Sequence, residues 1–416
     1  MTLKPWLPAI ELALLWLCLY LSLRNARRQM LVEMLPSSKT SGIFIGLVEV
    51  KGTAESEPPL TSYLADLPCV YYTFTVRERW TRRVTESYTD SNGSSQIRTV
   101  NKTDWDTVAS GGVTTAPFYL HDEYGAVLVR PEGAEVVTPH VFSTACGPTD
   151  PLYFGKGPGG EVSGSDHIRQ FVEHAIEVHT PIYVLGRARQ REDIVAAEIA
   201  AAEDTPIFLI TTESEDKVRH GFGEGTRIWG QIGFFLVVLY AVFGIDEHDG
   251  KREIIIDPRI SLESIAWYCS AYLLAWTAGW VLITYNTMIE LRHRVRQAWA
   301  NVDVQLKRRA DLVPNLVHVV TAGGDYEGAL QSGLALLREQ ARATAPGRPG
   351  PDPAALSGTV RALAEAYPDL KVNGSFLGLQ KALSDTEDRI ELARTYFNEI
   401  ATFYNTRLQQ FPEGWI

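Results

Sequence analysis

The chain has 416 residues, 45% of them hydrophobic, and a formal net charge of −11. That acidic balance excludes a general nucleic-acid binder, which needs a basic surface to neutralise phosphate. Of four cysteines, Cys18 and Cys269 fall in apolar runs, which excludes a disulfide framework. A bridge between Cys69 and Cys146 stays open, and a reducing compartment is the simpler reading.

Three apolar runs, residues 6–23, 228–245 and 265–283, come near the roughly 20 residues a membrane span needs. Arg24, Arg27 and Arg28 follow the first run, as in a retained anchor rather than a cleaved signal. Counting Arg24, Arg27, Arg28, Lys217, Arg219, Arg227, Arg292, Arg294 and Arg296 against Lys4, Lys251, Arg252 and Arg259 gives nine basic residues to four. The richer side faces the cytoplasm. A multi-pass protein in the cell membrane is expected, with its N-terminus outside and both large domains cytoplasmic. The expected segments are a span at 6–23, a β-rich domain at 24–227, a span at 228–245, an external loop at 246–264, a span at 265–283 and a helical bundle at 284–416. Ala271, Ala275 and Gly279 repeat every fourth residue, a face that lets another helix approach, although small residues are common in spans anyway. Glu11 lies near the outer end of its run and reads as interfacial.

Residues 42–212 read as mostly strand. Val70, Tyr72, Phe74 and Val76 alternate with Tyr71, Thr73, Thr75 and Arg77, the period of a two-faced strand. The segment DSNGSS at 90–95 reads as a hairpin tip. Ile168, Phe171, Val172, Ala175 and Ile176 fit one helical stripe, so an amphipathic helix is expected over 168–178.

The motifs SGIFIGLVEVKGTA at 41–54, LPCVYY at 67–72, DEYGAVLV at 122–129, PEGA at 131–134 and IYVLG at 182–186 stand in this order, with Trp80 and Pro117-Phe118 between them. Over about 170 residues, 41–212, this region resembles the GIDE domain, the membrane-flanked domain of mitochondrial outer-membrane ubiquitin ligases. Tyr124 and Arg130 depart from the family's usual residues. In those ligases a RING domain follows, with eight zinc ligands, mostly Cys. Four cysteines and no Cys-x-x-Cys pair cannot supply them.

From Tyr285 onward the pattern is helical. Met288, Leu291, Val295, Ala298, Val302, Gln305, Arg309, Val313, Leu316 and Val320 recur at three- and four-residue steps. The third span runs on into this helix, bent by Pro314 and ending near Gly323-Gly324. Helices at 325–342, 354–367 and 375–410 follow, giving an antiparallel four-helix bundle. Ala298-Trp299, VDVQLKRR at 302–309, DLVPNL at 311–316, EAYPDLK at 365–371, Thr386-Glu387, Tyr404-Asn405 and Phe411-Pro412 resemble the LemA family over 285–412. The resemblance implies a bacterial, membrane-anchored, helical region without known catalytic activity. The fold class expected is thus a multidomain membrane protein with three transmembrane helices, one β-rich α+β domain and one four-helix bundle.

Chemistry is sparse. His167, His174 and Glu177 share a face of the expected helix and are the only metal candidates, although two helical histidine ligands normally stand three or four residues apart. GKGPGG at 155–160 is glycine-rich, but it lacks the order of a phosphate loop. No cofactor is implied. Asp303, Gln305, Arg308, Arg309, Asp311, Asn315, Glu365, Asp369, Lys371 and Glu387 are polar candidates for partner binding or structure. Arg309, on the apolar stripe, needs a carboxylate such as Asp303 or Glu387. The reading is a non-enzymatic scaffold or adaptor whose partners are the lipid bilayer and membrane or cytoplasmic proteins, with self-association open and nucleic acid excluded. The alternatives are a ubiquitin-ligase-related protein and a metal-dependent hydrolase built on the histidine-bearing helix.

Overall fold

The computed structural model describes residues 7–89, 95–191, 196–202, 205–242, 245–248, 251–254, 262–322, 335–336, 339–340, 358–362, 365 and 374–410. Two compact units result: Met1–Pro36 with Glu215–Ile416, and Ser37–Ser214.

The second unit is built from two sheets. The first contains β1 (Ser37–Ser38), β2 (Gly46–Glu55), β6 (Phe118–Asp122), β7 (Gly125–Val129), β8 (Glu135–Val137), β11 (Pro181–Gln190), β12 (Ala197–Ala200) and β13 (Leu209–Thr211). Within it β2, β6, β7, β12 and β11 pair in turn, and β11 returns to β2. The result is a closed five-stranded barrel, which leaves these strands no free edges. Val48, Val50, Leu120, Val129, Val184, Leu185 and Ile199 are buried in this sheet. Glu49 is buried beside them, because the Ser37 and Tyr183 hydroxyls donate to its two carboxylate oxygens.

The second sheet is open: β3 (Leu60–Thr61), β4 (Pro68–Thr89), β5 (Ser95–Val113), β9 (His140–Cys146) and β10 (Ser165–Glu177). The alternation over 70–76 is thus a strand, as its period implies. The hairpin expected at 90–95 joins β4 to β5, with Thr89 opposite Ser95, while 90–94 lie outside the described residues. The helix expected over 168–178 is a correction: the segment is β10, paired along one side with β4 and along the other with β9. Tertiary pairing decides between the two periods, since each residue is held in two ladders at once.

In the other unit, α1 (Leu7–Glu33), α3 (Glu215–Val242) and α4 (Leu262–Ala322) come together; α2 (Pro151–Gly155) is a short helix of the β-rich unit. The Ser22 hydroxyl of α1, fully buried, donates to Thr226 O of α3 at 2.9 Å and accepts from the Trp276 indole of α4 at 3.1 Å. Tyr272 OH donates to Gly230 O at 3.2 Å. The small-residue face splits. A Cβ at Gly279 would lie 2.5 Å from Leu23 Cδ1, so this glycine permits the close approach, while Ala271 and Ala275 are exposed. A four-residue step drifts about 40° around a helix, so the three do not share one contact.

Three membrane spans are not found. Among the described residues one helix, Ile265–Val319, is long and apolar enough to cross a membrane, and none of its apolar window is buried. The second run overreaches its helix: among the described residues α3 reaches Val242, and Ile245, the last residue of the run, opens a small hairpin of β14 (Ile245–His248) and β15 (Lys251–Ile254). In α1 the buried Cys18, Leu19 and Ser22 turn one side of the run toward its helical neighbours. The nine-to-four count presupposed three crossings. Around one span, Lys251, Arg252 and Arg259 balance Arg292, Arg294 and Arg296, and charge sets no direction.

Helix α4 is unbroken over 61 residues, about 90 Å. Thr284 and Thr287, both buried, donate their hydroxyls to Trp280 O and Ile283 O and so cost the helix no open donor. Pro314 lies inside it, and Gly323-Gly324, the expected stop, lie outside the described residues. The expected helix 375–410 is α5 (Gly374–Gln409). Of the other two expected bundle helices, 325–342 and 354–367, only short helical pieces fall among the described residues, and the rest lies outside them.

Candidate partner-binding site

Helices α4 and α5 run antiparallel. Val302 and Leu306 pack on Ile390 and Ala393, and Trp299 meets Phe397 with ring centres 5.1 Å apart. Apolar residues at three- and four-residue steps on both helices make this seam. Into it the sequence sets Arg309 (1% exposed) and Glu387 (7%). Each stands in the other's field, with Arg394 adding an opposing charge. Burying two ions is costly unless they meet, so the pair is weak evidence of stability. Gln305 Oε1 is also buried and accepts no hydrogen bond from the described residues. Asp303 is half-buried; Arg308, Asp311 and Asn315 face solvent. Glu365 is exposed and pairs with Arg361 at 3.2 Å. Asp369 and Lys371 lie outside the described residues. Among the described residues no nucleophile and base meet in this seam.

The second polar centre was missed by sequence reasoning. Arg169, fully buried on β10, places Nε and Nη2 each 2.9 Å from Glu78 Oε2 of β4. It also donates to the carbonyls of Tyr153 (2.7 Å), Pro158 (2.7 Å) and Gly160 (2.5 Å). All five guanidinium donors are thereby used. The glycine-rich loop points carbonyls at a cation; a phosphate loop points N–H groups at an anion. Burial first, then the Glu161 carboxylate that accepts its proton, pushes the Tyr153 phenol up to about 12. Four residues beyond Arg169, buried Glu173 accepts from the backbone N–H groups of Tyr63, Leu64 and Ala65. The alternation Arg169, Phe171, Glu173, Ala175 was the available signal.

A LemA family model matches residues 298–416, and a GIDE model, described as E3 ubiquitin ligase, matches residues 85–244. The chain carries a LemA family region and a GIDE domain. No curated protein and no solved structure matches it. The LemA match opens at Ala298, within α4, and takes in both helices of the described seam. The GIDE match begins within β4 and runs through α3, so the motifs at 41–54 and 67–72 stand ahead of it.

Within the GIDE domain the metal candidates separate. His167 has a positive φ of 56° beside a bulge and meets Glu161, while His174 packs against His140 with ring centres 4.0 Å apart and planes tilted by 42°. Glu177 lies beyond a second bulge. Among the described residues no group of three or more His, Cys, Asp or Glu could hold a metal. The hydrolase reading loses its helix and its convergence together. The Cys69–Cys146 bridge is also excluded. Cys69 stands opposite Glu177 and Cys146 opposite Arg169, eight residues apart on β10, or about 27 Å, whereas a disulfide needs Cα atoms within about 7 Å. All four cysteines are free.

Proposed function

We propose that this chain is a membrane-associated adaptor that presents its LemA region and its GIDE domain to protein partners. One observation carries the reading: a single unbroken helix joins the apolar segment after Ile265 to the helix pair of the LemA region. Exposed Trp267, Tyr268, Leu273, Leu274, Val281 and Leu282 on the first part of α4 suit lipid, and the α4–α5 seam beyond them suits a rigid docking platform. A helix held at both ends passes the orientation of its membrane part to its cytoplasmic or external part. Replacing Tyr285-Asn286-Thr287 by Gly-Gly-Pro uncouples them. Full-length variant and parent are purified in mild detergent and their co-purifying proteins compared. Loss of partners with the α4–α5 pair still folded supports the reading; recovery of every partner overturns it.

A ubiquitin-ligase-related reading follows from the description of the GIDE model. Against ubiquitin transfer through a cysteine of the β-rich unit stands its thiol chemistry. Burial, then the nearby Glu173 carboxylate, pushes the Cys69 thiol up to about 11, and burial also raises Cys146. Transfer through cysteine needs a thiolate. Reconstituted ubiquitin transfer above a no-protein control would favour this second reading.

A further inference from the structure

Strand β5 is an edge. Among the described residues it pairs with β4 alone. The neighbour on the other side of β4, β10, leaves it at Trp80. Beyond that point β4 and β5 continue as a two-stranded ribbon, which in water is marginal by itself. Ile97 (76% exposed) and Trp105 (38%) lie on one face of β5. Arg98, Lys102 and Asp104 lie on the other, by the two-residue period of a strand. The Trp105 N–H donates not to β4 but to the carboxylate of its neighbour Asp104, at 2.9 Å. An edge donor is thus capped by the chain's own side chain.

We propose that β5 pairs antiparallel with β5 of a second copy of this chain, centred on Asn101, so that two GIDE domains share one continuous sheet. In that register Ile97 of each copy lies opposite Trp105 of the other, an aromatic against a β-branched side chain. Arg98 meets Asp104 of the other copy, Thr99 meets Thr103, and Asn101 meets its own equivalent. Registers centred on Lys102 or Asp104 set like charges face to face. A register centred on Thr103 pairs Lys102 with Asp104 but leaves Ile97 against Ala109 and Trp105 against Asn101. Only the Asn101 register gives both exposed apolar side chains an apolar partner and each paired charge its opposite. Asp104 turns to Arg98 of the other copy, and the Trp105 N–H passes to the Ile97 carbonyl opposite. The arrangement is two-fold and closes, as an isologous interface must.

Single cysteines test the register in the full chain, purified in mild detergent, with its four native cysteines replaced by serine and its fold checked by circular dichroism. Opposed residues in a hydrogen-bonded antiparallel pair have Cα atoms about 5.5 Å apart, within disulfide range. Asn101→Cys is expected to form a disulfide-linked dimer under mild oxidation, and Thr103→Cys to stay monomeric. Cross-linking through Thr103→Cys but not Asn101→Cys overturns the proposal. The unaltered protein gives a second measurement by analytical ultracentrifugation. A dimer that becomes monomeric on Ile97→Lys with Trp105→Lys supports the pairing. A monomer from the start, or a dimer unaffected by those changes, overturns it.

Discussion

Arg407 Nη2 of α5 donates to Glu33 Oε2 of α1 at 2.7 Å, a contact between residues 374 positions apart. Both side chains are mostly buried, and Gln29 holds the other Glu33 oxygen at 3.0 Å. The end of the LemA region is thereby tied to the last turn of α1. Arg407→Glu sets two carboxylates together and weakens this tie by about 1 kcal/mol or more. Combining it with Glu33→Arg restores most of the loss. Urea unfolding of the four proteins as a double-mutant cycle checks this; additive single effects would show that the contact contributes nothing.

The Arg169 cluster governs the β-rich unit. Arg169→Ala leaves Glu78 buried without its cation, a loss of about 3–5 kcal/mol. Arg169→Lys keeps the charge but cannot reach one carboxylate and three carbonyls together, so it also destabilises. Hydrogen exchange of the loop amides at 153–160 should accelerate in both variants; protection equal to the parent's would show that the loop holds itself.

Cysteine chemistry follows burial. With its thiol pushed up to about 11, Cys69 is thiolate to roughly three parts in ten thousand at pH 7.5. Alkylation of the folded chain is expected to reach half-buried Cys146 before Cys69, with no Cys69–Cys146 disulfide on peptide mapping. Rapid Cys69 labelling would contradict its burial.

Acid sensitivity is expected at the barrel. Burial alone would raise the Glu198 carboxyl, but hydrogen bonds from Arg130 and Arg189, each at 2.8 Å, hold it below the ordinary carboxylate range. A depressed folded-state value adds stability above the unfolded carboxylate pKa and loses it as pH falls through the folded value. Thermal unfolding of the parent should therefore weaken below about pH 4.5, and Glu198→Gln should be less stable at neutral pH with a flatter acid limb. Identical acid limbs would remove Glu198 from the account.

The long helices were legible in the sequence because their apolar residues keep one period. The expected helix at 375–410 and α5 differ by one residue at each end. The strand β10 was hidden by its own core. Arg169 and Glu173 occupy buried positions, so the inward face reads as charged and the period of two disappears. The remaining Ile168, Phe171, Val172, Ala175 and Ile176 then mimic a helical stripe. The extra spans failed for another reason: hydropathy marks an apolar run but not where its helix stops, and Ile245, the last residue of the second run, already belongs to strand β14. Of the polar candidates, Arg309 and Glu387 were legible because a charge on an apolar stripe needs a partner. Arg407 and Glu33, far apart in the chain and each on an ordinary polar stretch, gave no such signal.

The central claim is that α4 crosses the membrane and carries the LemA helix pair on one side of it. It is tested most directly by impermeant thiol labelling of sealed vesicles, using the full chain without native cysteines and with one cysteine at Glu253 or at Asp311. These positions flank the apolar part of α4. The account predicts that one is labelled from outside and the other only after the membrane is opened. Labelling of both from the same side would show that α4 does not cross.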